Sequence, residues 1–235
     1  MPGKFNLNEL QPENDGNYPD TAAVDNSSSS NDGSVKVYFR DLVKHLKTHI
    51  NDADAVFGCV AWLTHVEVLD VLAKKHVAIV VQKEDFLRPD FGAPNAWKRT
   101  LRQKYDALSC GIIRYDFDNM IGQLSTGGDP TVEAIRCVGN YNRDKAPAFP
   151  RMHNKFLIFA RVEEKDGSYF PAPYAVWTGS FNLTANATYS LENALYITKP
   201  ELVAAYFNEF GQIMAISEPL DWQSDWCEPE LRIGT

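Results

Sequence analysis

Two unbroken apolar runs restrict the fold most. They are "AVFGCVAWL" at 55–63 and "VAIVVQ" at 77–82, with the helix-like "THVEVLDVLAKK" at 64–75 between them. A strand that is apolar on both sides has to be covered on both faces. Two such strands joined by a helix predict a parallel pair at the centre of a sheet layered by helices. Within the linking segment, Thr64 and Glu67 have the spacing of a capping box, and Val68, Leu69 and Leu72 form its inner face.

The flanking segments extend this pattern. "VKVYF" at 35–39 reads as a short strand, and "DLVKHLKTHI" puts Leu42, Val43, Leu46 and Ile50 on one helical face. His45 and His49 then fall on a solvated flank of that helix. "NAWKRTLRQKYDAL" is helical with Trp97, Leu101, Tyr105 and Leu108 inward. Strand candidates follow at "GIIRYD", "EAIRCV", "HNKFLIFAR", "YAVWTG" and "NALYIT", and Asp166-Gly167 reads as the hairpin turn between the third and fourth. A closing helix, "ELVAAYFNEFGQIMAI", turns Leu202, Tyr206, Phe210, Ile213 and Met214 inward. Residues 117–150, rich in Gly, Pro and Asn, read as a long surface loop holding one short strand. The expected class is α/β, a mixed sheet flanked by helices on both faces.

Charge divides the 235-residue chain. The whole carries −8, but residues 1–34 hold six acids and one Lys, and residues 218–235 hold five acids and one Arg. The span 35–217 is therefore near neutral, at +1. We expect a flexible acidic arm at 1–34, one domain at 35–217 and an acidic tail at 218–235. No apolar run reaches the roughly 18 residues needed to cross a bilayer, and the N-terminal stretch has no apolar signal core. A cytoplasmic protein without a membrane partner is the expectation. Cys59, Cys110, Cys137 and Cys227 lie far apart with no CxxC spacing, so reduced, packed thiols are expected.

Two strands carry costly polar residues at their ends. "RMHNKFLIFA" opens with His153 and Lys155, which share one side of a strand while Phe156 and Ile158 take the other. Ser180 and Asn182 repeat the two-residue spacing just after "YAVW", and Gly179 permits a tight turn there. Glu192 lies ten residues beyond Asn182. If these strands are neighbours, the side chains converge on one small cavity. There a His can attack phosphorus, a carboxylate can fix its tautomer, and Lys, Ser and Asn can hold the non-bridging oxygens. No metal is called for, since no acidic pair or His cluster accompanies them, and no cofactor is expected.

On these residues the chain resembles the phospholipase D superfamily, the HKD phosphodiesterases, whose pattern is H-x-K-x4-D, then G-S-x-N, then Glu. His153, Lys155, Gly179, Ser180, Asn182 and Glu192 match it, and the family Asp falls on Ala160. The resemblance implies a metal-independent hydrolase that passes through a covalent phosphohistidine. It makes His153 the nucleophile or general acid, with Glu192 orienting it. Only one copy of the motif occurs, which implies a homodimer with the site shared across its two-fold axis.

Small single-motif members are mostly nucleases. Arg143, Lys145 and Arg151 mix with Tyr141 and Phe149 just before His153, and "WKRTLRQK" is basic throughout. Such a mixture suits a nucleic-acid strand. The expected function is a nuclease with little sequence specificity and DNA or RNA as substrate. The alternative is a weak or inactive nucleic-acid-binding module, a reading that Ala160 favours. A phospholipid hydrolase is less supported, for want of a basic amphipathic helix or an anchor.

Overall fold

A computed structural model describes residues 25–82, 96–123, 129–138 and 151–220. The elements run β1 (Ser28–Ser29), β2 (Val35–Tyr38), α1 (Leu42–Asp52), β3 (Ala55–Val60), α2 (Val66–Leu72), β4 (His76–Gln82) and α3 (Ala96–Asp106). A 3-10 turn at Arg114–Asp116 and α4 (Met120–Gln123) come next. They are followed by β5 (Ile135–Val138), β6 (Lys155–Lys165), β7 (Ser168–Gly179), a second 3-10 turn at Asn186–Tyr189, β8 (Ala194–Ile197), α5 (Pro200–Ala215) and β9 (Glu218–Pro219). Among the described residues the strands form one sheet in the order β1-β2-β8-β7-β6-β3-β4-β5-β9. The β3–β4 and β4–β5 pairs are parallel, and the other pairs are antiparallel, so the sheet is mixed.

Alternation along the central strands feeds two apolar layers. Val56, Val60, Ile79, Leu157 and Phe159 pack with Leu42, Leu46, Leu69 and Leu101 of α1, α2 and α3 on one face. Phe57, Cys59, Val80, Phe156 and Ile158 pack with Ile121, Phe207, Phe210 and Met214 of α4 and α5 on the other. Every residue of β3 is buried, as its unbroken apolar run requires. The β6–β7 hairpin turns at Asp166 and Gly167, whose φ values of 53° and 80° are those of a two-residue primed turn. Cys59 and Cys137 are buried thiols in no disulfide, and burial holds the Cys110 thiol up at about 11.

The structure corrects several local expectations. The sheet begins at Ser28, within the stretch expected to be an arm; residues 1–24 and 221–235 lie outside the described residues. "GIIRYD" forms no strand. Ile112 anchors it in the apolar layer covered by α4 and α5, and Arg114–Asp116 make a 3-10 turn. The capping box is not made, because α2 starts one residue later with His65 as its N-cap. The Thr64 and His65 amides instead donate to the Leu183 carbonyl at 2.8 and 2.9 Å, and Glu67 pairs with Lys47.

Trp97 and Leu202 are exposed rather than inward. Along α5, Phe210, Ile213 and Met214 are buried as expected, while in its first half Val203 and Phe207 take the inner places in front of Leu202 and Tyr206. His45 and His49 are half-buried against aromatic rings rather than on a solvated flank. His45 stacks on Tyr38 at 4.3 Å, and His49 stacks on Tyr196 at 3.8 Å while its Nε2 lies 3.2 Å from the Tyr38 hydroxyl. Burial in this aromatic group lowers the pKa of His49 to about 4.

Candidate active site

One edge of the sheet collects the polar strand ends. Val60, the last residue of β3, is paired with Lys155, the first of β6. Phe156 is paired with Thr178 near the end of β7, and Gly179 with Ala194, the first residue of β8. β4 ends in the same direction, at Gln82. The HNK and GSFN segments are therefore side by side, just outside the carboxyl ends of the parallel strands, where open α/β sheets place their ligands.

His153 is exposed and Lys155 half-buried. The Lys155 ammonium lies 3.3 Å from His153 Nδ1 and 3.4 Å from Nε2, and it donates to the His153 carbonyl at 3.2 Å. Burial lowers the Lys155 pKa, and the Glu192 carboxylate pushes it partly back up. The Ser180 hydroxyl donates to Glu192 Oε2 in a short hydrogen bond and accepts from the Asn193 amide at 3.1 Å. Glu192 therefore grips Ser180 and partly offsets the effect of burial on Lys155. The Asn182 side-chain oxygen is buried with no hydrogen-bond partner among the described residues, a costly arrangement that a hydrogen-bond donor such as water can relieve.

Gly179 has φ 157°, and a Cβ there would meet the Asn193 carbonyl at 2.3 Å. Its place in the motif thus has a backbone reason, since β7 can close on the turn before β8 only without a side chain. Arg151 is exposed two residues before His153. Arg143 and Lys145 lie outside the described residues. Of the basic helix α3, Lys104 is ion-paired with Asp70.

Ala160 is fully buried among Ala55, Ile158 and Val162, five residues along β6 from Lys155 and so roughly 17 Å away. That end of the strand is held by other carboxylates. Asp54 Oδ2 accepts from the Val162 amide at 3.2 Å, and Asp52 pairs with Arg161. The Ala in place of the family Asp thus lies well away from the His153 end of the strand.

Two residues at this edge had escaped the sequence reading. Gln82 is 7% exposed, and its Oε1 accepts from the Met152 amide at 2.7 Å, which fixes the residue preceding His153. Trp62 stands edge-on to His153 with ring centroids 6.3 Å apart. Both are polar or exposed positions closing an apolar run, the same signal that marked the HNK segment. Among the described residues no group of three or more His, Cys, Asp or Glu is gathered to hold a metal ion.

A family model described as "Cardiolipin synthase, PLD-like domain" matches residues 117–214, a span that contains every motif residue. The chain belongs to the phospholipase D superfamily. By sequence the chain is similar to the uncharacterized protein L381 of Acanthamoeba polyphaga mimivirus, 36% identical over 219 residues that make up 87% of this chain and 74% of that protein. Among solved structures, NucT from Helicobacter pylori is similar with a TM-score of 0.48 and 15% identity, over 79% of this chain and 98% of that one. Nuc from Salmonella typhimurium, described as a phospholipase D family member, gives 0.44 and 18%, over 76% of this chain and 92% of that one. Among the described residues no helix is long and apolar enough to cross a membrane.

Proposed function

We propose that the protein is a nuclease of the phospholipase D type, cutting phosphodiester bonds through a phosphohistidine on His153, in a site shared by two copies of the chain. The observation that supports this best is the grouping of His153, Lys155 and the Ser180–Glu192 pair at one sheet edge, with the Lys155 ammonium within 3.4 Å of both imidazole nitrogens. A cation in that position meets the non-bridging oxygens of a phosphate that His153 attacks.

In the first step an imidazole nitrogen of His153 forms the bond to phosphorus as the bond to the leaving oxygen breaks. The leaving oxygen takes a proton from a second imidazole. In the second step water attacks phosphorus, the same second imidazole receives the water's proton, and His153 departs. The motif occurs once per chain, so the second imidazole is His153 of another copy, related by a two-fold axis through the site. Nucleic acid is the substrate favoured by Arg151 beside His153 and by the basic and aromatic residues that precede it in the sequence.

The test is cleavage of labelled DNA and RNA in EDTA by the wild type and by His153→Asn, with the mass measured by light scattering. EDTA-resistant cutting that is lost in the variant, from a particle of twice the chain mass, is expected. An active strict monomer rules out the shared site, and cutting that survives His153→Asn rules out the phosphohistidine.

A further inference from the structure

Trp62 is 38% exposed, whereas its neighbours Ala61 and Leu63 are fully buried. The backbone that carries it is pinned from several sides. The Ala61 amide donates to the Asn154 carbonyl at 2.8 Å, and the Ala61 carbonyl accepts from the Gln82 amide at 3.3 Å. The Leu63 carbonyl accepts from the Tyr105 hydroxyl at 2.6 Å. Leu63 also bridges to Leu183 of the GSFN loop, and Leu183 in turn receives the next two amides. The indole therefore stands on a backbone tied to both halves of the motif. It is edge-on to His153, with the ring planes at 84°.

Exposure alone says little, since Trp97 and Tyr115 are more exposed still; what sets Trp62 apart is a partly open indole held rigidly beside His153. Its position limits what can cover it. A phosphorus atom attacked by His153 sits against the imidazole, and the indole lies one ring further along the same edge, 6.3 Å from it. A sugar separates a phosphate from its base by a comparable step. The face of the indole can thus take the base of a nucleotide that flanks the bond being cut. A base paired in a duplex spends its faces on its neighbours, whereas an unpaired base can swing out and stack on an aromatic side chain.

We propose that Trp62 stacks an unpaired base beside the scissile phosphate, so that the site selects single-stranded nucleic acid. This inference rests on the nuclease reading above. Affinity comes from the stack, orientation comes from the rigid backbone, and sequence preference stays slight because every base has a π face.

The experiment compares wild type, Trp62→Phe and Trp62→Ala on a labelled single strand and on the same sequence as a duplex, with kcat and KM measured separately. A set of oligonucleotides with one abasic residue stepped along the strand completes it. Trp62→Ala should raise KM on the single strand about 5- to 150-fold, the effect of losing one base stack, and Trp62→Phe should restore most of it. An abasic residue next to the cut should slow the wild type and leave Trp62→Ala unaffected. An unchanged KM in Trp62→Ala, while cutting still depends on His153, overturns the proposal and leaves the nuclease reading intact. A wild-type preference for duplex also overturns it. So does a change of particle mass in Trp62→Ala, which would assign the indole to the contact between copies. If His153-dependent cutting is absent, fluorescence anisotropy of the single strand on His153→Asn and on His153→Asn/Trp62→Ala separates the two ideas. Weaker binding by the double variant supports the stack even though the nuclease reading fails, and equal binding overturns the stack.

Discussion

Gln82 Oε1 accepts a hydrogen bond from the Met152 amide at 2.7 Å, with both residues buried. The end of β4 thereby fixes the chain just before His153. Replacing Gln82 with Leu keeps the volume but leaves the buried Met152 amide without an acceptor. We expect a loss of about 1–3 kcal/mol in stability. We also expect kcat to fall at 25 °C, well below the transition, because His153 is less well held. Urea denaturation and steady-state assays check the two effects. Gln82→Glu keeps an acceptor but adds a carboxylate at a buried position, so it should recover only part of the stability.

Ala160 occupies the family's Asp position inside an apolar layer. Ala160→Asp should therefore not improve the enzyme. A carboxylate there has to lose its hydration among Ile158, Val162 and Ala55, and we expect several kcal/mol of destabilisation. A lowered melting temperature with no gain in specific activity is the expected result. A more active and equally stable variant would overturn this account of the position.

His49 makes stability depend on pH. Its pKa is about 4 when folded, against 6.5 for an ordinary His, because burial opposes its charge. His45, Lys36 and Asp52 also face it; the first two push the same way and Asp52 opposes them. The unfolded chain thus takes up a proton at a pH where the folded chain does not. The contribution is complete above about pH 6.5 and is lost as the pH falls toward about 4. His49→Gln should flatten this part of the profile of urea midpoint against pH, while the carboxylate contributions remain in both proteins.

Lys155 should lose its charge at a lower pH than an ordinary Lys, since burial lowers its pKa and Glu192 only partly offsets that. Binding of inorganic phosphate should therefore weaken on the alkaline side earlier than a solvent-exposed Lys would dictate. Glu192→Gln removes the group that raises the pKa, so the alkaline limb should move to still lower pH. Phosphate titrations by calorimetry between pH 7 and 10 check the direction.

Much of this architecture is legible in the residues because local pattern and tertiary packing agree. The runs at 55–63 and 77–82 become the buried parallel pair, and Asp166-Gly167 becomes the hairpin turn. The HNK and GSFN segments can be recognised because polar side chains at the ends of apolar strands need a reason. The failures have one cause in common, which is a distant partner. The Thr64 and His65 amides look like helix-cap donors until Leu183, more than a hundred residues away, takes them. His45 and His49 look solvated until Tyr38 and Tyr196 arrive from β2 and β8. Trp97 and Leu202 fit the helical period, but where the sheet lies relative to that period is not written in the helix itself.

Among the described residues the outermost strands, Ser28–Ser29 and Glu218–Pro219, are only two residues long, and the second ends in a proline. Each closes a flank of the sheet with very little free backbone on offer. A neighbouring chain gains few ladder bonds by lying alongside either flank. Sheet extension from one copy to the next is thus discouraged along both of these short strands.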